Sequence, residues 1–135
     1  MPAALNYGSK AGSDPAANTE ASVVTTDDLV LVGFNVSLVT DANAANRHVQ
    51  FTVTDPSGNV IYRTIAGGTQ AASLTRHYSG VPGEYSPPAV LDTVFLVPLP
   101  PEGVFVPAGS TFTTATLNRQ VGDNFGTPVI RYYRP

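Results

Sequence analysis

From Val30 the chain alternates. Val30, Val32, Phe34, Val36 and Leu38 are apolar, while Gly33, Asn35 and Ser37 between them are small or polar. A period of two sends successive side chains to opposite faces of an extended backbone, so this stretch predicts a strand with one buried face. The segment DANAANR breaks the alternation and predicts a loop. Val49, Phe51 and Val53 then alternate with Gln50, Thr52 and Thr54, and NVIYRTIA follows as a partner strand. Between the two lies Asp55-Pro56-Ser57-Gly58. Asp suits the first turn position, Pro presets φ at the second, and Gly takes the left-handed conformation that closes the loop.

The rest of the chain reads the same way. QAASLTRHYS places Ala72, Leu74, Arg76 and Tyr78 on one face. The loop GVPGEYSPP leads into AVLDTVFLVPLP, which is apolar on both faces near its centre. Pro98, Pro100 and Pro101 end that strand, because proline cannot donate to a ladder. GVFV, the Thr-rich STFTTATLN and the closing PVIRYY are further strands, separated by a PAG turn and a VGDNFG loop. Seven or eight short strands, with turn signals every eight to twelve residues and no helical period, predict an all-β fold. The expected architecture is a single antiparallel β-sandwich or jelly roll. No internal repeat points to a solenoid or propeller.

Residues 1–22 differ from this body. Leu5 and Tyr7 are their only large apolar side chains after Met1, among Ala, Ser, Asn, Gly and Pro. Such a stretch buries too little apolar surface to offset its own ordering entropy. Two readings fit it, a frayed terminus or a flexible amino-terminal arm that orders on a neighbour through Leu5 and Tyr7, ahead of a β-sandwich domain spanning 23–135. Fully extended, the arm reaches up to about 65 Å, enough to cross a neighbouring subunit.

Composition narrows the class. The 135 residues fit one domain, and the absence of cysteine removes disulfides, thiolate nucleophiles and cysteine-ligated metals. Charged residues make up 13%, against roughly 25% in ordinary soluble domains. Lys10 is the only lysine, and the other cations are Arg47, Arg63, Arg76, Arg119, Arg131 and Arg134. Protein interfaces are poor in Lys, Glu and Asp and rich in Arg and aromatics, so this surface suits one covered by partners. A GC-rich genome, which favours Arg over Lys and supplies Ala, Gly and Pro, explains the same bias. A net charge of −3 with dispersed arginines gives no nucleic-acid footprint. No apolar run approaches the roughly 20 residues of a membrane span, and the amino terminus lacks the pattern of a signal peptide.

Candidate chemistry is sparse. His48 and His77 sit on the polar sides of their strands, without a nearby carboxylate pattern to suggest a metal. The carboxylates fall in turns, where Asp serves the backbone; Asp92, within an apolar strand, is read as an outward or arginine-paired position. VGDNFGT lacks the ligand spacing of a calcium loop, and the sequon NVS lies within a strand. No nucleophile elbow, zinc-protease or phosphate-loop motif is present, so no enzyme and no cofactor are expected. A sugar-binding module is the alternative. It would stack a pyranose on an exposed aromatic, for which Tyr78, Tyr85, Phe125, Tyr132 and Tyr133 are candidates, though the chain has no Trp.

Taken together, GFNVSLVTDANAANRHVQFTVTDPSGNVIYR, TQAASLTRHYS and LPPEGVFVPAGSTFTT resemble small β-sandwich proteins encoded among the virion genes of tailed bacteriophages. The likeness covers roughly residues 28–118. It implies a structural part of a virus particle, most like a capsid decoration (cement) protein. Proteins of that class are commonly trimeric, sit on the outside of the head and clasp neighbours with terminal arms. The implied partners are the major capsid protein and copies of the chain itself, with no nucleic acid and no membrane. The implied location is the capsid surface, after synthesis in the host cytoplasm. On this reading Arg47, Arg76 and Arg119 are interface arginines, and a tail or receptor-binding role is the alternative.

Overall fold

The computed structural model describes residues 6–83, 90–91 and 93–135. Among them every regular element is a strand. In chain order these are β1 (Asn6–Ala11), β2 (Ser22–Val24), β3 (Leu29–Val39), β4 (His48–Thr54), β5 (Val60–Ile65) and β6 (Thr75–Pro82). They continue as β7 (Val90–Leu91), β8 (Val94–Leu99), β9 (Val104–Val106), β10 (Thr111–Leu117), β11 (Asn124–Phe125) and β12 (Val129–Arg134). One sheet runs β1-β12-β3-β6-β8-β7, with β9 and β11 added along β3; the other runs β2-β10-β4-β5. Strand pairs are antiparallel except β6 and β8, which run parallel. The all-β sandwich expected from the alternation is present, divided into more and shorter strands.

The two sheets meet through aromatic rings. Phe34 of β3 lies 4.5 Å from Phe51 of β4 and 5.0 Å from Phe112 of β10, centroid to centroid. Phe51 approaches Tyr78 of β6 at 5.7 Å, and Tyr78 stacks on Phe95 of β8 at 5.1 Å. Gly80 lies directly opposite Phe34 on β6, and any Cβ there would collide with the Phe34 ring. Glycine at that position is therefore a packing requirement.

The β4–β5 hairpin closes as its residues demand. Gly58 donates to the Asp55 carbonyl at 3.0 Å and sits at φ +88°. The Asp55 carboxylate accepts the backbone N–H groups of Ser57 and Asn59, both at 2.9 Å.

Two expectations need revision. The period-two reading of β3 put Val30 and Val32 on the buried face with Phe34. Instead β3 carries an extra residue: Gly33 pairs with Arg131 and Leu31 with Tyr132, leaving Val32 out of the ladder. A bulge of this kind reverses the facing of everything beyond it. Leu29 and Leu31 therefore join Phe34, Val36 and Leu38 in the core. Val30 and Val32 face the other side, where Val30 is still buried and Val32 half-buried near the Gly103 turn.

The amino-terminal segment is also placed differently. Residues 6–11, read as part of an arm, pair along their full length with β12 of their own chain, from Asn6 opposite Arg134 to Ala11 opposite Val129. Backbone hydrogen bonds, rather than buried side chains, hold this strand, which is why composition did not reveal it. Residues 12–21 then cross to the second sheet, where Ala21 is buried and donates its N–H to Thr114 Oγ1 at 2.9 Å.

Candidate functional site

The most elaborate polar constellation lies between the β3–β4 and β10–β11 loops. Arg47 Nε donates to Asp123 Oδ2 at 2.9 Å, and Nη2 donates to Asp123 Oδ1 at 3.0 Å, a bidentate pair. Nη2 also reaches Asp41 Oδ1 at 2.7 Å, and Nη1 donates to the Ala45 carbonyl at 2.7 Å. Asp123 further accepts the backbone N–H of Asp41 at 2.9 Å and of Gln120 at 2.8 Å. Burial alone would push the Asp123 carboxyl up. The Arg47 hydrogen bonds, the two backbone donors and the Arg47 charge outweigh it and hold the group below the ordinary aspartate value of 3.8.

Every polar group in this cluster is spent on another, so it has no free valence for a ligand. It buckles two loops together. Arg47 is 0% exposed, which removes it from the set of interface arginines. Sequence reasoning missed the cluster because its members lie 76 residues apart. Its only local signal was an arginine immediately before an alternating strand.

The other expected residues separate as follows. Arg119 is half-buried and pairs within the chain, with Glu20 Oε1 at 2.8 Å and Asn18 Oδ1 at 2.9 Å, clipping residues 12–21 to the body. Arg76 is half-exposed at the core-facing side of β6, and its Nε is buried without a hydrogen bond among the described residues. Tyr78 cannot stack on a sugar: it is fully buried, its hydroxyl donates to Gln70 Oε1 at 2.9 Å, and desolvation pushes its pKa up. Phe125 is buried as well. Tyr132 packs partly against the core, with the Arg134 guanidinium 5.6 Å from its ring centre. Leu5, Tyr85 and Asp92 lie outside the described residues.

Tyr7 and Tyr133, drawn from two different expectations, meet. Their rings make an edge contact at 5.8 Å on the outer face of the larger sheet. The register extends the contact into a line: Tyr7 is opposite Tyr133, Tyr133 opposite Val30, and Val30 opposite Phe105. Neighbouring strands lie about 4.8 Å apart, so this row crosses roughly 14 Å of sheet. Tyr7 is 65% exposed and Phe105 56%, although both are large and apolar-faced. The β3 bulge creates the row, because without it Val30 would face the core.

The smaller sheet has a different outer face. Thr111, Thr113, Thr52 and Thr54 occupy its middle, with Val24, Val60, Ile65 and Leu117 exposed around them. Among the described residues on this face, Arg63 is the one that carries a full charge, beside Gln50 and His48.

Among the described residues, no group of three or more His, Cys, Asp or Glu side chains stands close enough to hold a metal. His48 Nε2 is bonded to the Ala66 carbonyl at 2.7 Å, and His77 is exposed on β6.

No protein-family model matches the chain, and a search of curated proteins finds no similar sequence. Among solved structures, a chain of the infectious bursal disease virus particle overlays 96% of this protein at 12% identity, with a TM-score of 0.43. A structure of the Gt strain of the same virus covers 96% at 11% identity and a TM-score of 0.42. A mutant VP2 protein of that virus, in a derived particle, covers 95% at 11% identity and a TM-score of 0.40. The protein spans only 29–30% of the length of these viral chains.

Proposed function

We propose that this chain is a non-enzymatic virion structural protein of the capsid-decoration type. It acts as a homotrimer on the outside of the head, made in the host cytoplasm, and bridges neighbouring copies of the major capsid protein. The observation that carries this reading is the pair of exposed aromatics Tyr7 and Phe105, which end a row whose middle members are half-buried Tyr133 and buried Val30. Aromatic residues are enriched at protein interfaces, and large exposed aromatics on a sheet face are otherwise a liability for a free subunit. Burying such side chains contributes about 25 cal/mol per Å² of apolar area removed from water.

The second outer face supports the same role. A Thr- and Val-rich sheet surface with a single arginine loses little solvation energy when covered. The resemblance to phage virion proteins over residues 28–118 agrees with it.

The amino-terminal segment contributes as a clasp. Among the described residues β1 has a strand on one side only, so its outer edge is open to pairing with a neighbour. Three bodies and three such segments would bind a lattice with an avidity far above that of one contact.

Co-sedimentation tests this reading. Heads assembled from the major capsid protein encoded alongside this chain are mixed with purified wild-type protein and with a Tyr7→Ser/Phe105→Ser variant. Saturable pelleting of the wild type, with the variant left in the supernatant, is expected. Wild-type protein that stays in the supernatant at saturating concentration would overturn the proposal.

A further inference from the structure

The larger sheet also carries a groove on its outer face, beyond the aromatic row. It has a volume of about 340 Å³ and is lined by Asn35, Ser37, His77, Ser79, Thr127 and Val129, with Val94 and Val36 completing it. Ligand sites for small molecules begin at roughly 300 Å³, so one ring of a ligand fits.

What distinguishes the groove is unspent polarity. In the orientation that satisfies both ends of its amide, Asn35 accepts from Arg131 Nη1 and donates to Ser79 Oγ at 2.8 Å. Ser79 then keeps its own hydroxyl proton free to donate. The hydroxyls of Ser37 and Thr127 and both ring nitrogens of His77 make no hydrogen bond among the described residues. A glycine keeps the wall open: a Cβ at Gly126 would collide with Ser37 Oγ. Another concavity, about 380 Å³ beside Pro98, is unlike it, because Tyr62 and Thr64 there both donate to the Pro98 carbonyl.

Among the described residues the lining holds no carboxylate for a cation and no cluster of arginines or lysines for a phosphate. Hydroxyls and an imidazole that can each donate or accept fit a partner of the same kind, one with several neighbouring hydroxyls. Val94 and Val129 supply the apolar contact that the C–H face of a sugar ring requires.

We infer that this groove is a binding site for a neutral saccharide unit. The site is independent of the decoration role proposed above. It shares only the outer face of one sheet with the aromatic row, separated from it by Arg131, whose guanidinium lies over Gly33. It also replaces the sugar-stacking tyrosines expected from the sequence with a hydrogen-bonding site on β3, β6 and the β11–β12 connection.

Chemical-shift mapping on the full chain tests it. Glucose, galactose and N-acetylglucosamine, with their short oligomers, are titrated to 50 mM while backbone amide signals are followed. Saturable shifts are expected at Asn35, Ser37, His77, Ser79 and Thr127, and not at Thr52 or Thr113 on the opposite sheet. His77→Ala and Ser79→Ala each weaken binding by about fivefold, the size of one lost hydrogen bond, with unchanged spectra elsewhere. No saturable shift with any of these sugars overturns the inference. So do shifts centred elsewhere, or binding that both variants leave intact.

Discussion

Arg47 and Tyr7 were both expected to meet a partner, and the fold treats them in opposite ways. Arg47 is 0% exposed and spends its guanidinium on Asp123, Asp41 and the Ala45 carbonyl. Tyr7 is 65% exposed, its ring meeting the edge of Tyr133 across the sheet. The first holds loops of its own chain together; the second is open to another molecule. Residue type alone does not separate these roles. An arginine suits an interface only where the fold leaves it without carboxylates of its own.

The contrast predicts opposite costs. Arg47→Ala leaves the Asp123 carboxylate buried and unpaired, which costs about 3–5 kcal/mol of stability in urea unfolding. A loss below about 1 kcal/mol would mean that the buckle contributes little.

Acid probes the same cluster. The Asp123 carboxyl is held below its ordinary value of 3.8, so its folded pKa lies below its unfolded one. The stability it contributes is present above the unfolded pKa and is lost as pH falls from about 4 through the folded pKa. Wild-type stability should therefore drop more steeply below pH 4 than that of Asp123→Asn, already destabilised at neutral pH. Parallel curves would contradict the assignment.

The half-buried Arg119–Glu20 clip has the same chemistry in a wetter place. Arg119→Ala should cost no more than about 1 kcal/mol, by thermal or urea unfolding, because solvent screens such pairs. At the surface extreme, Phe105→Ser should change stability by less than about 0.5 kcal/mol when measured at protein concentrations too low for subunits to associate, the usual range for an exposed position. A larger loss would place Phe105 among the groups that hold the fold.

Much of this fold was legible. The Asp55–Gly58 turn, the alternation of β4 and β10, and the stop at Pro100–Pro101 after β8 follow from local chemistry, and local chemistry is written in order along the chain. Pro98, read as part of that stop, lies inside β8 instead, opposite Val81. The β3 bulge was not legible in the same way. LVLVGF is apolar at both odd and even positions, and only Gly33 hinted that the phase changes there. β1 escaped notice because its stability comes from pairing with the far end of the chain. The aromatic row depends on both features. It joins positions 7, 30, 105 and 133, which no spacing rule connects. The saccharide groove was hidden for a similar reason: its serines and asparagine read as the polar side of ordinary strands.

The most direct test of the central claim is the solution mass of the full chain by light scattering, beside Tyr7→Ser/Phe105→Ser. The account predicts a wild-type particle of three times the 14.1 kDa chain mass. It predicts that the variant is a folded monomer, whose unfolding midpoint falls only by the stabilisation that trimer formation gives the wild type. A wild type that stays monomeric at every concentration, or a variant trimer as tight as the wild type, would contradict it.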